Sequence, residues 1–239
     1  MIGMVLHTII SRLLLLIIAL TLFPFFLIIA CMPEKWRMRN RFIYKVVHFF
    51  YWIVLKCTFV PIKIEGKENI PTQPAIFAAN HQSSLDIPLA GVLAQSDPHL
   101  WLARSELMDS IILRFLLPRF AVVVDVNEPH RAMRALVRVI QLVRDTNQHI
   151  MIFPEGQRHH DDNVHDFFPG FVILAKKTGR AVVPVRIFYA NRVYPVGTFW
   201  VRWHPIVIRI GKPMVMREDE KDEEFKNRVH QWFIQQSKD

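Results

Sequence analysis

His81 and Asp86 lie five positions apart in Asn80-His81-Gln82-Ser83-Ser84-Leu85-Asp86, directly after an apolar run at 75–79 that reads as a β-strand. A histidine beside a carboxylate makes a general base. The carboxylate holds one ring nitrogen, fixes the tautomer and supports the imidazolium while the other nitrogen accepts a proton. On a continuous helix, residues five apart are about 140° out of phase at roughly 100° each, so the pair meets only if a helix starts between them. Pro88 favours such a start, because proline is tolerated in a first turn and breaks a helix interior. A start at 84–87 leaves His81 in the strand-end loop, with Asp86 reaching back to it. Taken alone, the spacing is common and also fits an ordinary loop histidine.

A second polar cluster ends the apolar run 150–153, in Phe153-Pro154-Glu155-Gly156-Gln157-Arg158. Pro-Glu-Gly is a turn that presents a carboxylate and then a guanidinium at the carboxyl edge of a sheet, where α/β folds place ligands. The planar fork of arginine suits a phosphate. Downstream, His159-His160-Asp161-Asp162-Asn163-Val164-His165-Asp166 has the residue types of a zinc or manganese site. Adjacent ligands lack the fixed spacing of such sites, so an exposed loop at the site entrance is the expectation.

The elements that must position these groups follow from alternating short apolar and amphipathic runs, an α/β pattern. Strands are expected at 75–79, 100–103, 120–126, 150–153, 182–189 and 206–210. Helices are expected at 85–94, 105–116, 128–144 and 218–236. In the third of these, Met133, Leu136, Val137, Ile140 and Val143 share one face and Arg131, Arg134 and Arg138 the other. That arginine stripe is either a solvated face or a surface turned to anionic lipid. The expected fold is a mixed, largely parallel sheet flanked by helices, preceded by an N-terminal hydrophobic helix pair.

Residues 13–32 carry no charge over 20 positions, about the length a helix needs to cross a hydrocarbon core roughly 30 Å thick. Pro24 interrupts the run and would let it kink or dip into one leaflet. Lys35, Arg37, Arg39, Arg41 and Lys45 follow at once, which puts that flank and the catalytic domain on the cytoplasmic side. The aromatic-rich stretch 46–55 suits the interface. A cleavable signal is the alternative, but the run is longer than a signal core and a basic cluster follows it. The chain therefore divides into membrane-anchoring helices at 1–60 and a catalytic domain at 61–239.

Composition excludes several classes. Of 239 residues, 51% are hydrophobic and 21% charged, too apolar for a disordered tail. Two cysteines, Cys31 and Cys57, allow neither a disulfide scaffold nor a four-cysteine zinc site. The net charge of +9 points to an anionic partner: nucleic acid, membrane surface or phosphate-bearing substrate. Aromatic residues cluster in the N-terminal region and do not alternate with basic ones along a groove, so nucleic acid is not expected.

The 80–86 segment resembles the first motif of the glycerolipid acyltransferases of the lysophosphatidate acyltransferase type. Phe153-Pro154-Glu155-Gly156-Gln157-Arg158 resembles their third, Val183-Pro184-Val185 their fourth, and Arg104-Ser105-Glu106-Leu107 the opening of their second. The resemblance covers about residues 71–185. It implies transfer of a fatty acyl group from acyl-CoA or acyl carrier protein to the free hydroxyl of a lysolipid in a membrane, commonly 1-acylglycerol 3-phosphate. His81 would be the general base and Asp86 its orienting partner. Glu155, Gly156 and Arg158 would bind the acceptor head group, and Arg104 would stand where the family has a basic residue. Attack on a thioester needs a positioned base and no enzyme nucleophile, so no metal and no cofactor beyond the acyl donor are called for.

The chain departs from the family pattern twice. The second motif ordinarily ends Asp-Arg, but here Val126 follows Asp125, with Arg131 close enough in sequence to substitute. Phe-Lys-x-Gly is replaced by Phe167-Phe168-Pro169-Gly170. Both losses concern the phosphate, so a lyso-ornithine lipid or lysophospholipid is the rival acceptor. A catalytically silent membrane adaptor on the same fold is the rival of another class, and the intact His81 and Asp86 speak against it.

Overall fold

A computed structural model describes residues 2–109 and 111–236. The chain opens with a long helix, α1 (Ile2–Cys31), then short α2 (Glu34–Arg39) and α3 (Arg41–Lys56). α1 stays helical through Pro24; the missing N–H removes one hydrogen bond without ending the helix. Asn40 caps α3 by accepting from Phe42 N–H at 2.9 Å. α3 buries Ile43, Val47, Tyr51 and Leu55 on one face and exposes Phe42 and Phe49 on the other.

The remaining elements follow as β1 (Ile62–Glu65), β2 (Ile76–Ala79), α4 (Asp86–Gly91), β3 (His99–Arg104), α5 (Ile111–Phe120) and β4 (Ala121–Val124). After these come α6 (Pro129–Thr146), β5 (His149–Ile152), α7 (Gly170–Thr178), β6 (Val182–Phe188), α8 (Ala190–Val193), β7 (Ile206–Ile210) and α9 (Asp222–Gln235). The strands form one sheet in the order β1-β7-β6-β2-β5-β3-β4. Neighbours run parallel except for β6 and β7. The expected mixed, largely parallel sheet is the one observed.

β2, β5 and β6 are buried on both faces, which explains their mostly apolar sequence. Alternate residues enter opposite cores. Phe77, Val183 and Val185 pack with α3 and α4, while Ile76, Ile150 and Val182 pack with α6, α7 and α9. α7 and β1 were not expected from the sequence. α7 buries Phe171, Val172, Leu174 and Ala175 in a helix of nine residues, which leaves little polar face to mark a helical period. The expected helix 85–94 is α4 followed by a 3-10 turn at Val92–Ala94. The expected helix 105–116 is a 3-10 turn, Ser105–Asp109, followed by α5; Ser110 lies outside the described residues.

α1 is long and apolar enough to cross a membrane, yet it lies along the domain. His7 Nε2 meets Thr58 O at 2.7 Å, Phe26 packs edge-on to Phe50 at 5.2 Å, and Ile29 is buried in the sheet's core. It therefore runs antiparallel to α3 with both ends held. Its outer face exposes Leu6, Ile9, Leu13, Leu16 and Leu20.

α3 and α4 meet where Gly91 faces the Tyr51 ring, and a Cβ at Gly91 would fall well inside van der Waals contact with that ring. Tyr51 Oη also meets His99 Nε2 at 3.1 Å and accepts from Trp101 Nε1 at 2.9 Å. Gly91→Ala should therefore cost about 1–3 kcal/mol by overpacking, read as a Tm lowered by roughly 2–10 °C in detergent. An unchanged Tm would show that Tyr51 yields without cost.

Candidate active site

The site is built at the carboxyl ends of β2 and β5. Asn80, fully buried, continues the β2–β6 pairing with its side chain: Nδ2 donates to Ile187 O at 3.0 Å and Oδ1 accepts from Ile187 N–H at 2.6 Å. His81 follows, and its Nδ1 donates to Asp86 Oδ2 at 2.9 Å. The same oxygen accepts from the backbone N–H of Gln82 at 2.5 Å and Ser83 at 2.7 Å. α4 begins at Asp86, so the helix does start between the two residues. A carboxylate oxygen can only accept, which leaves Nε2 of His81 as the basic nitrogen. The ring stacks on Phe153 at 3.9 Å and 7°, and Phe153 stacks in turn on Trp101 at 5.4 Å.

The loop after β5 clamps His81 from the other side. His81 N–H donates to Glu155 Oε1 at 2.9 Å, and His159 N–H donates to His81 O at 3.0 Å. Glu155 Oε2 accepts from His165 N–H at 3.1 Å. Glu155 is only 2% exposed, and its two oxygens brace the two loops against each other. Gly156 closes the turn, its N–H donating to Phe153 O at 3.0 Å. Its φ is +71°, and a Cβ there would come within 2.7 Å of Phe168.

Two expected cations stand at the rim. Arg158 Nη1 donates to Ser84 Oγ at 2.7 Å, joining the first and third motifs. Arg104 Nε donates to Glu106 at 2.9 Å and its Nη1 reaches Gln157 Oε1 at 3.4 Å, so part of its charge is met by its own neighbour. Arg131 pairs with Asp125 at 3.3 Å beside Val126. Beside the first turn of α4, Leu85, Ile87 and Pro88 line an apolar cavity of about 200 Å³ with Tyr51, Val54 and Leu15.

The histidine-rich loop packs on the site. His159 stacks on His165 at 3.5 Å, and His165 Nε2 pairs with Asp161 at 2.8 Å. Among the described residues no group of three or more His, Cys, Asp and Glu is arranged to hold a metal.

Arg186 was not singled out from the sequence. It is 4% exposed on β6, and its Nη2 donates to Asp162 O at 2.9 Å. Its Nε and Nη1, and Asp86 Oδ1, are buried without a hydrogen bond among the described residues. Burial lowers the Arg186 pKa, while the charges of Glu155, Asp162 and Asp86 oppose that shift. It is thus a cation placed among the site's acids. Its signal in the sequence is a charge inside the apolar strand 182–188.

Burial pushes the Glu155 pKa up to about 7 from an ordinary 4.5, against the two backbone N–H bonds that favour its charge. Between those values the folded protein holds a proton that the unfolded chain has released, so stability from this group falls as pH rises. Glu155→Gln cannot ionise and should lack this slope. Measured as the free energy of unfolding, the variant-minus-parent difference should grow in the variant's favour from pH 5 to pH 8, by roughly 2–3 kcal/mol. A constant difference would mean that Glu155 titrates like an exposed glutamate.

The profile of the Acyltransferase family matches residues 61–188. A chloroplastic 1-acyl-sn-glycerol-3-phosphate acyltransferase of Arabidopsis thaliana is 31% identical over 160 residues, 65% of this chain and 44% of that protein. The lyso-ornithine lipid O-acyltransferase of Pseudomonas aeruginosa is 27% identical over 145 residues, 61% of this chain and 55% of that one. The chain thus spans about half the length of these curated relatives. The crystal structure of the 1-acyl-sn-glycerophosphate acyltransferase PlsC of Thermotoga maritima superposes with a TM-score of 0.76 at 23% identity, over 98% of this chain and 95% of that one. The shared fold and a family match that takes in β1 to β6 and every clamp around His81 lead to one conclusion: the chain belongs to the acyltransferase family.

Proposed function

We propose that this chain transfers a fatty acyl group from acyl-CoA or acyl carrier protein to the free hydroxyl of 1-acylglycerol 3-phosphate, giving phosphatidate. The observation that carries the reading is the His81–Asp86 pair, with Nδ1 bound at 2.9 Å and the ring held flat on Phe153. His81 Nε2 takes the hydroxyl proton as the oxygen attacks the thioester carbonyl. The C–S bond then breaks, and the imidazolium returns the proton to the departing thiolate. Asp86 keeps the ring in one orientation through both steps. Arg158 and Arg104 at the rim supply positive charge for the acceptor phosphate, and the apolar cavity beside α4 suits an acyl chain.

Membrane attachment belongs to the same reading. α1 exposes an apolar row while both its ends are bound to the domain, so it lies along one leaflet and does not cross. The basic residues after it favour the cytoplasmic leaflet.

A second reading, acyl transfer to a lyso-ornithine lipid or lysophospholipid, is favoured by Val126 and by Phe167-Phe168-Pro169-Gly170, where the family has cations. It is the activity named for the Pseudomonas relative.

His81→Ala should lower kcat by roughly 10²- to 10⁴-fold with the fold retained, and Asp86→Asn should also be severely impaired. Near-normal turnover by His81→Ala would refute the mechanism. Arg158→Ala should reduce kcat/KM for lysophosphatidate by roughly ten- to a hundredfold and matter far less for a lysolipid without a phosphomonoester. A parent that prefers the latter acceptor and is indifferent to Arg158→Ala would favour the second reading. Val126→Arg should improve lysophosphatidate use under the first reading only.

A further inference from the structure

The loop 194–203 between α8 and β7 exposes large aromatic side chains: Phe199 is 59% exposed, Trp200 38% and Trp203 63%. A turn at its start sets their position, with Thr198 N–H donating to Pro195 O at 3.3 Å and Gly197 at φ +74°. The loop is fastened to the first third of α1. Thr8 Oγ1 accepts from Val201 N–H at 3.2 Å, while its own proton goes to Met4 O at 2.8 Å within α1. Arg12 donates to Phe199 O at 2.8 Å, and its guanidinium lies 4.7 Å from the Tyr194 ring and 4.9 Å from that of Phe199. Thr8 is fully buried by this junction, although its neighbours Leu6, Ile9 and Leu13 stay exposed.

Large exposed apolar side chains on a loop and on the helix it is fastened to mark a surface that meets something other than water. We infer that the 194–203 loop is a second lipid anchor, with Trp200 and Trp203 seated at the head-group level of the leaflet on which α1 lies. The inference rests on the membrane reading above and adds to it a named contact.

Three features choose a bilayer as the occupant. The loop is joined to α1, and both expose apolar side chains. Its rings are accompanied by Arg12 and the exposed Arg202, and tryptophan beside cations is the composition of a membrane interface. The loop joins α1 near residues 8–12, whereas the basic residues 35–41 follow its other end, roughly 30 Å away at 1.5 Å per residue. α1 alone could roll about its axis; a contact rigidly joined to one side of it fixes the roll. That matters for the site, because Ser83 Oγ of the first motif donates to Tyr194 O at 2.7 Å and Tyr194 lines the apolar cavity beside α4. Docking the loop therefore holds the first motif at a set height above the lipid in which an acyl acceptor lies.

The test uses the full chain on vesicles of phosphatidylethanolamine and phosphatidylglycerol, with ordinary or brominated acyl chains as quencher. The parent spectrum minus that of the Trp200→Phe, Trp203→Phe double variant reports these two side chains. The expected difference spectrum shifts to the blue on vesicle binding and is quenched by the bromines. The Trp200→Ala, Trp203→Ala variant should raise KM for a vesicle-embedded lysolipid by roughly three- to tenfold, with kcat on detergent-dispersed acceptor unchanged. A parent that fails to float with vesicles would overturn the membrane reading itself. A parent that floats but leaves the difference spectrum unshifted and unquenched would overturn the loop anchor alone. Dimers that the alanine variant splits, without quenching, would likewise overturn it and assign the face to a second copy.

Discussion

A single carboxylate oxygen, Asp86 Oδ2, gathers the His81 ring and the backbone N–H groups of Gln82 and Ser83. That convergence requires the chain to turn sharply between the end of β2 and the start of α4. Much of the surrounding structure exists to allow the turn. Asn80 substitutes its side chain for the next rung of the β2–β6 ladder, so the backbone can leave the sheet without orphaning Ile187. Both backbone groups of His81 are then taken by the loop after β5, through Glu155 and His159. The imidazole is thus located from its ring face, its Nδ1 and its own main chain, which is the preorganisation that proton transfer in a fixed geometry requires.

The clamp concentrates charge in an apolar setting. Asp86, Glu155 and Arg186 are all nearly inaccessible to solvent at the edge of a sheet whose central strands are buried on both faces. Buried acids are costly unless they are hydrogen-bonded or opposed by charge. Asp86 Oδ2 and both Glu155 oxygens spend their lone pairs on backbone donors, and Arg186 supplies the opposing charge from β6. The rim differs in kind. Arg104 and Arg158 lie nearer the solvent, and each is tethered to a neighbouring motif by a side-chain bond. The buried clamp is thus held mostly through backbone donors and the rim through side chains alone.

α1, α3 and the loop before β7 pack into one core of the sheet through Ile29, Tyr51 and Val201, while α6, α7 and α9 cover the opposite face. The first motif borders that side of the sheet, since Ser84 and Leu85 line the apolar cavity together with Arg12 and Leu15 of α1.

The order of the elements was legible in the sequence because each one advertises itself locally. β2, β5 and β6 are mostly apolar runs, α6 has a clear helical period, and Pro88 marks the first turn of α4. His81 and Asp86 were legible for the same reason, being separated by one turn of chain whose geometry can be reasoned out. α7 and β1 were hidden, the first because burial leaves it little polar face and the second because four residues carry little periodicity. Glu155 and Arg186 show what local reasoning cannot supply. One carboxylate in a Pro-Glu-Gly turn and one arginine after Val185 look alike as polar residues near strand ends, and whether each faces solvent or interior depends on what other segments bring against it. His165, ten residues from Glu155, and Asp162, far from Arg186 along the chain, decide it. The sequence determined which groups could do chemistry; only packing between distant segments decided which of them are enclosed as supports and which remain open to a substrate, because burial is a property of neighbours in space.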